Sequence, residues 1–196
     1  MLTQTIIENL LIISAEAFWL LSNYSQLAKL VHTRNPKGLY APTLTLYAAG
    51  NIGWMVYFAS ENLWVPFVTN FAMFIITGLT ISYLVTNKSK RQKAILSVAL
   101  VAPLAAWLIV AYPASAGWFA VIFNTIAAAP WVYHVVTSKR TSGISEKSLY
   151  FVYGALLCTL TYAAMIVSTP LIVSCLKGLT FNVIVTTYYY MYRKAN

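Results

Sequence analysis

The chain has little charge, and very little of it is negative. Charged residues make up 9% of the 196 residues, Asp and Glu together number four, and hydrophobic residues reach 60%. A water-soluble domain of this length cannot hide so much apolar surface, which excludes an ordinary soluble fold. With four acidic residues, neither paired catalytic carboxylates nor a Ser/His/Asp arrangement is available. We therefore expect no enzyme activity.

Cysteine and histidine are equally scarce. The two cysteines, Cys158 and Cys175, both fall inside apolar segments and predict neither a disulfide framework nor a metal site. The two histidines lie in the basic stretches at segment ends, and no glycine-rich loop has the spacing of a phosphate cradle. The sequence therefore predicts no metal and no cofactor.

What the chain does have is a series of long apolar segments. Each is long enough to cross about 30 Å of hydrocarbon as a helix, and lipid allows no open backbone. They cover residues 5–30, 39–60, 63–86, 94–111, 115–137, 147–168 and 170–192. The sequence thus predicts an all-α membrane protein with seven transmembrane helices, embedded in a lipid bilayer.

The basic residues orient these segments. The formal net charge is +9, and under a seven-helix count twelve of the thirteen Lys and Arg residues fall on one side, with Lys177 as the exception. The positive-inside rule makes that side cytoplasmic, with the N-terminus outside and the C-terminus inside. We expect a multi-pass protein of the cell membrane, and we read the basic balance as topology rather than as nucleic-acid binding.

Two stretches 105 residues apart share the same landmarks. Ser25-Gln26 is followed by a basic turn and Gly38, and Pro130-Trp131 is followed by a basic turn and Gly143. A fixed offset of this kind predicts an internal duplication. The predicted units are a first three-helix repeat over 1–90, a linker helix over 91–113 and a second three-helix repeat over 114–196. Because a single helix separates them, the repeats should form two parallel three-helix bundles, a 3-1-3 arrangement.

This arrangement resembles the SWEET, semiSWEET and PQ-loop superfamily of small transporters. Ser25-Gln26 and Pro130-Trp131 stand where the family has Pro-Gln, and residues 51–57 fit its N-x-x-W-x-x-Y pattern. The resemblance implies a transporter that moves a small polar solute by alternating access, with a sugar favoured. A homo-oligomer is compatible with it.

The resemblance also implies a substrate site. Trp54 and Asn70 match the family's pocket pair of an aromatic wall and a hydrogen-bonding amide, a combination that suits a sugar. The repeat offset carries these two positions to Thr159 and Cys175, and Asn182 can supply the amide that Cys175 lacks. Each of these positions can equally be ordinary helix packing. The candidate gating or hinge residues are Ser25, Gln26, Pro42 and Pro130.

Glu16 and Lys177 are the ionisable residues predicted inside the membrane, where a charge is expensive and marks a functional site by default. Measured from the nearest basic ends, their depths differ by about 5 Å. Three hypotheses are open: a buried ion pair, a proton- or charge-coupling role in the cavity, or snorkelling to the interface.

Two alternative functions remain. If Glu16 faces the cavity, a proton-coupled transporter of an amino acid, a vitamin or a nucleoside is favoured. A seven-helix receptor or retinal protein, with Lys177 as the Schiff-base residue, belongs to a different class and leaves the duplication unexplained.

Overall fold

A computed structural model describes residues 2–35, 37, 39, 41–85 and 115–193, and these residues form six helices. The helices are α1 (Leu2–Thr33), α2 (Ala41–Ser60), α3 (Trp64–Leu84), α4 (Ala116–Ser138), α5 (Glu146–Met165) and α6 (Thr169–Tyr192). The predicted all-α class is confirmed.

The prediction of seven transmembrane helices in a 3-1-3 arrangement is wrong. Of the six helices in the described part of the chain, five are long and apolar enough to cross a membrane, and α2 is not among them. The reason is that polar residues, among them Thr43, Tyr47 and Asn51, lower the mean hydropathy of α2; these three line an internal cavity. The predicted linker helix over 91–113 lies outside the described residues. Five such spans are compatible with an integral membrane protein.

Helix α3 shows which solvent the outer surface suits. Its exposed residues are apolar, while its buried face is rich in hydroxyl and amide groups. The exposed residues include Val65, Val68, Phe71, Ile75 and Leu79, and the buried ones include Thr69, Asn70, Thr77 and Thr80. A helix of a water-soluble protein has the opposite pattern. An apolar outside with a polar inside fits a helix surrounded by lipid, because the polar groups then find partners only within the protein.

The six helices pack as a closed ring. Helix α1 contacts α3 and α5, α2 contacts α3 and α4, and α6 contacts α4 and α5, so the order around the ring is α1, α3, α2, α4, α6, α5. The ring is unchanged when α1, α2 and α3 are exchanged for α4, α5 and α6. We call these the first set and the second set. Equivalent helices of the two sets, such as α1 and α4, therefore lie on opposite sides of the ring.

The backbone of the two sets repeats at the same 105-residue offset that the sequence landmarks share. The first and last residues of α2 and α5 are 105 apart, as are the ends of α1 and α4 and the starts of α3 and α6. The left-handed backbone positions repeat too: Arg34 and Lys139 have φ of 50° and 54°, and Asn62 and Val167 have φ of 57° and 55°. Both the helix ends and the strained turns are thus shared by the two sets.

Close approach of the helices depends on small residues where the sets meet. A Cβ added to Gly53 on α2 would lie 3.1 Å from the Cβ of Ala120 on α4. On the other side of the ring, a Cβ added to Gly154 on α5 would lie 3.1 Å from the ring of Phe18 on α1. Small residues let helix backbones pack tightly in membranes. The sets are therefore joined by two close helix pairs, α1 with α5 and α2 with α4.

Candidate functional site

A cavity of about 300 Å³ lies inside the ring, and all six helices contribute to its wall. We call it the central cavity. Its lining mixes amide, hydroxyl and indole groups with aliphatic side chains. A volume of this order is at the lower end of the range for small-molecule sites.

The lining of the central cavity follows the repeat. Twenty-four of its thirty-one lining residues form twelve pairs that are 105 positions apart. The pairs are Trp19/Asn124, Asn23/Ala128, Gln26/Trp131, Leu39/Ile144, Thr43/Ser148, Leu44/Leu149, Tyr47/Val152, Asn51/Leu156, Trp54/Thr159, Asn70/Cys175, Met73/Gly178 and Thr77/Asn182. The cavity therefore lies on the axis that relates the two sets. Many pairs join unlike side chains, so the wall is symmetric in position and asymmetric in chemistry.

All five predicted substrate-binding residues line this cavity. They are Trp54, Asn70, Thr159, Cys175 and Asn182, and each is buried, with at most 8% of its surface exposed. The repeat offset pairs Trp54 with Thr159 and Asn70 with Cys175 across the axis. The structure thus brings these residues together; their role in binding stays a prediction.

The side chains of Trp54 and Asn70 are fixed by their neighbours. The indole of Trp54 stacks on Phe58, with ring centroids 5.6 Å apart, and meets the edge of Tyr57 at the same separation. The Asn70 amide donates through Nδ2 to the carbonyl of Pro66 at 2.8 Å, one turn earlier in α3. With one N–H used in this way, Asn70 can offer a solute its amide oxygen and its second N–H.

Four lining residues hold polar atoms that are buried without any hydrogen-bond partner. They are Oε2 of Glu16, Oγ1 of Thr43, Oδ1 of Asn124 and Oγ1 of Thr159, from α1, α2, α4 and α5. A buried polar group without a partner costs about 1–3 kcal/mol. Unpartnered polar groups on lining residues of four helices are compatible with a site for a polar solute or for water.

Glu16 and Lys177 both line the central cavity and do not form an ion pair with each other. Glu16 is 5% exposed, and Oε2 of its carboxyl group has no hydrogen-bond partner. The Lys177 ammonium donates to the carbonyl of Val121 on α4 at 3.4 Å, which is a long hydrogen bond. The ion-pair hypothesis is therefore wrong for this structure, and both residues belong to the cavity wall.

One end of the ring is held by hydrogen bonds between the sets, a group that we call the loop clamp. Gln26 donates through Nε2 to the Gly143 carbonyl and accepts through Oε1 from the Ser145 amide, both at 2.9 Å. Two further bonds come from side chains of the first set: Lys29 Nζ donates to the Ile144 carbonyl at 2.6 Å, and Asn35 Nδ2 donates to Ser142 Oγ at 3.1 Å. In the fifth bond the Gly143 amide donates to the Lys37 carbonyl at 2.9 Å. Since Gln26 and Ile144 also line the cavity, the clamp lies across this end.

We call this the basic end, because the described cations of the helix ends and loops gather there. They are Lys29, Arg34, Lys37, Lys139, Arg140, Lys147 and Arg193. Arg193 at the end of α6 forms an ion pair with Glu146 at the start of α5, with the two atoms 3.2 Å apart. The predicted cytoplasmic location of this end stays a prediction.

Toward the opposite end the cavity is bounded by apolar side chains that pack from both sets. This apolar cluster consists of Ile12, Trp54, Phe58, Ala120, Val121, Tyr162, Ala163 and Leu171. Beyond it a second, shallower pocket is lined by Tyr57, Glu61, Trp118, Tyr162 and others, and shares no lining residue with the central cavity. The hydroxyls of Tyr57 and Ser168, 2.8 Å apart, link the sets at this end. The cavity thus lies between a polar clamp and an apolar cluster.

The predicted gating residues have different positions. Gln26 is part of the loop clamp, whereas its neighbour Ser25 does not line the cavity. Pro130 lies within α4, next to the lining residues Ala128 and Trp131. Pro42 lies in the first turn of α2, where proline costs no helical hydrogen bond.

Several polar lining residues were missed by the sequence analysis, among them Trp19, Thr43, Tyr47, Asn51 and Asn124. The 105-residue offset could have identified some of them. Applying the 105-residue offset to every polar residue of the apolar segments pairs Trp19 with Asn124 and Thr43 with Ser148. Within the described residues, no group of three or more His, Cys, Asp or Glu side chains has an arrangement that could hold a metal ion.

Comparison of the chain with protein-family models, with curated proteins and with solved structures finds no match. The resemblance noted in the sequence therefore stays a prediction, and the function has to be argued from the cavity.

Proposed function

We propose that this protein is a membrane transporter that moves a small polar solute through the central cavity by alternating access. The observation on which the proposal rests is the composition of the cavity wall. Six helices, five of them long and apolar enough to span a membrane, enclose one cavity, and four of the six contribute to its wall a residue with an unpartnered buried polar atom. Each such atom destabilises the fold unless a solute or water satisfies it, and four of the six in the described residues belong to this wall.

The two boundaries of the cavity support the mechanism. The loop clamp consists of five hydrogen bonds, and the apolar cluster consists of packed side chains, so the two ends are closed by separate groups of contacts. Both boundaries are formed by residues from both sets. A small rocking motion of one set against the other would loosen one end while it tightens the other. The cavity residues would then face each side of the membrane in turn.

A direct test is uptake by the purified protein in lipid vesicles. Radiolabelled sugars, amino acids and nucleosides should be offered with and without a pH gradient, and protein-free vesicles give the background. We expect saturable uptake of at least one solute, reduced strongly by Trp54→Ala and Asn70→Ala. Uptake no faster than in protein-free vesicles for every solute would overturn the proposal.

A sharper variant is Thr159→Val, which removes a buried unpartnered hydroxyl without changing the shape of the side chain. The folded protein should be as stable as before or more stable, because no hydrogen bond is lost. Solute affinity should fall about 2- to 10-fold, the equivalent of one neutral hydrogen bond. The matched control is Thr161→Val, since Thr161 is exposed and its hydroxyl bonds to Leu157 within its own helix. Equal affinities for the two variants would remove Thr159 from the site.

A further inference from the structure

The two residues with a formal charge in the cavity wall do not follow the two-fold repeat of the lining. Among the described lining residues, Glu16 and Lys177 are the charged ones. Their equivalents at the 105-residue offset are Val121 and Ala72, and neither of these lines the cavity. The charges are therefore additions to a wall whose other positions occur mostly in pairs.

The two charges lie on opposite walls. Lys177 directs its ammonium to the carbonyl of Val121, and Val121 is the residue of α4 equivalent to Glu16 of α1. Because α1 and α4 are opposite each other in the ring, the ammonium is held against the wall that faces Glu16. Ile12, one turn before Glu16, belongs to the same apolar cluster as Val121, which places both charges at the level of that cluster.

Neither charge is fully compensated by the protein. Oε2 of Glu16 has no partner, and of the three donors of the Lys177 ammonium one makes a long hydrogen bond to a carbonyl. A buried charge is costly unless it is paired and hydrogen-bonded. A neutral sugar would leave both charges unpaired, and a simple amine or a simple acid would pair one of them. A solute with both a cation and an anion pairs both.

We infer that the central cavity binds a zwitterionic amino acid, with the ammonium group at Glu16 and the carboxylate at Lys177. At the level of the two charges the wall includes Trp54 and Leu171, which belong to the same apolar cluster as Ile12 and Val121 and suit a short neutral side chain. The inference rests on the proposed transport function for its biological setting, but binding in detergent tests it separately.

The experiment measures binding to the purified wild-type protein in detergent, with tritiated L-leucine and 4-aminobutyrate as probes of two charge spacings. Competitors are isoamylamine, which is leucine without its carboxylate, 4-methylpentanoate, which is leucine without its amine, and D-glucose. We expect saturable binding of at least one amino acid. The amine and the acid should compete at least 10-fold more weakly than unlabelled leucine, and glucose should not compete.

Variants assign the two ends of the solute. Glu16→Gln and Lys177→Gln should each weaken amino-acid binding about 10- to 100-fold, the effect of losing a charged hydrogen bond. Glu16→Gln should leave the acid as good a competitor as the amino acid, and Lys177→Gln should do the same for the amine. Glu61→Gln and Lys147→Gln remove exposed charges outside the cavity and should bind as the wild type does. The wild-type competition series tests the inference even if a cavity variant fails to fold.

The outcomes separate the two proposals. Wild-type protein that binds or transports glucose but neither amino acid overturns the zwitterion inference and leaves the transporter proposal intact. Binding of an amino acid without uptake into vesicles overturns transport and supports the inference. Amine or acid competing as well as the amino acid in the wild type would show that one charge has no part in recognition, and would overturn the inference.

Discussion

Replacing Gln26 by methionine is expected to open the basic end of the protein. Methionine has nearly the same length as glutamine but cannot form the two hydrogen bonds of Gln26 to Gly143 and Ser145. Each such bond contributes about 0.5–1.5 kcal/mol net, so the change removes about 1–3 kcal/mol from the closed arrangement. That free energy corresponds to about a 5- to 150-fold increase in the population that is open at this end. The other three bonds of the loop clamp remain, so the fold should persist.

The assay is the rate at which a cysteine inside the cavity reacts with a small charged thiol reagent. Thr43→Cys is a suitable reporter, because Thr43 is 2% exposed and lines the cavity without a hydrogen-bond partner. The native Cys158 and Cys175 are first replaced by alanine. When opening and closing are fast, the reaction rate follows the open population. The rate should therefore rise about 5- to 150-fold with Gln26→Met. Gln26→Glu keeps the acceptor for Ser145 and should give a smaller increase.

The control is Asn23→Leu. Asn23 also lines the cavity, but its amide donates to the Trp19 carbonyl in its own helix at 2.9 Å and does not join the two sets. Its replacement should leave the labelling rate close to that of the parent. An unchanged rate with Gln26→Met, or an equal increase with Asn23→Leu, would refute the assignment of Gln26 to the gate.

Three further predictions concern stability, measured as Tm in detergent. Gly143→Ala should destabilise the protein by about 1–3 kcal/mol, because the new Cβ would collide with the backbone of the facing loop. The control Gly78→Ala, on the open face of α3, should be neutral or stabilising, and equal Tm values for the two variants would contradict the close contact. Val167→Asn should stabilise the protein by about 1 kcal/mol and Asn62→Val should destabilise it by a similar amount, because both positions have a left-handed backbone that asparagine tolerates and valine does not. A lower Tm for Val167→Asn would show that the turn is not strained. Tyr57→Phe removes the link to Ser168 and should lower stability by about 1 kcal/mol, and an unchanged Tm would mean that this bond is not part of the closed end.

The repeat was the part of the fold most accessible from the sequence. Gly38 and Gly143 give an offset of 105, and the same offset relates the bounds of α2 and α5. The number of spans was not accessible in the same way. Residues 39–60 were expected to span the membrane, but Tyr47 and Asn51 lower the mean hydropathy of α2, which is not among the helices apolar enough to do so. Hydropathy also does not show that these two residues line a cavity. Polar groups directed inward lower the mean hydropathy of a helix that is buried among others.

The cavity was predicted in part for a related reason. Trp54 and Asn70 could be named because they match a pattern, and Thr159 and Cys175 followed from the offset. Of the three hypotheses for Glu16 and Lys177, the ion pair does not hold, because similar depth in the membrane does not imply proximity: α1 and α6 are not neighbours in the ring. The contacts of Gln26 with residues 143–145 join positions more than a hundred residues apart, and no local pattern predicts them.

The ring order also has a consequence for self-assembly. Helices α1 and α2 do not contact each other and instead pack on α5 and α4, so a first set expressed alone would leave both of these faces uncovered. Two copies of it could cover them by closing a ring of the same order. In such a homodimer each Glu16 would lie opposite a second Glu16, and Ala72 would occupy both positions that correspond to Lys177. Two like charges would then share one cavity. Joining two diverged sets in one chain is what allows a negative charge on one wall and a positive charge on the other.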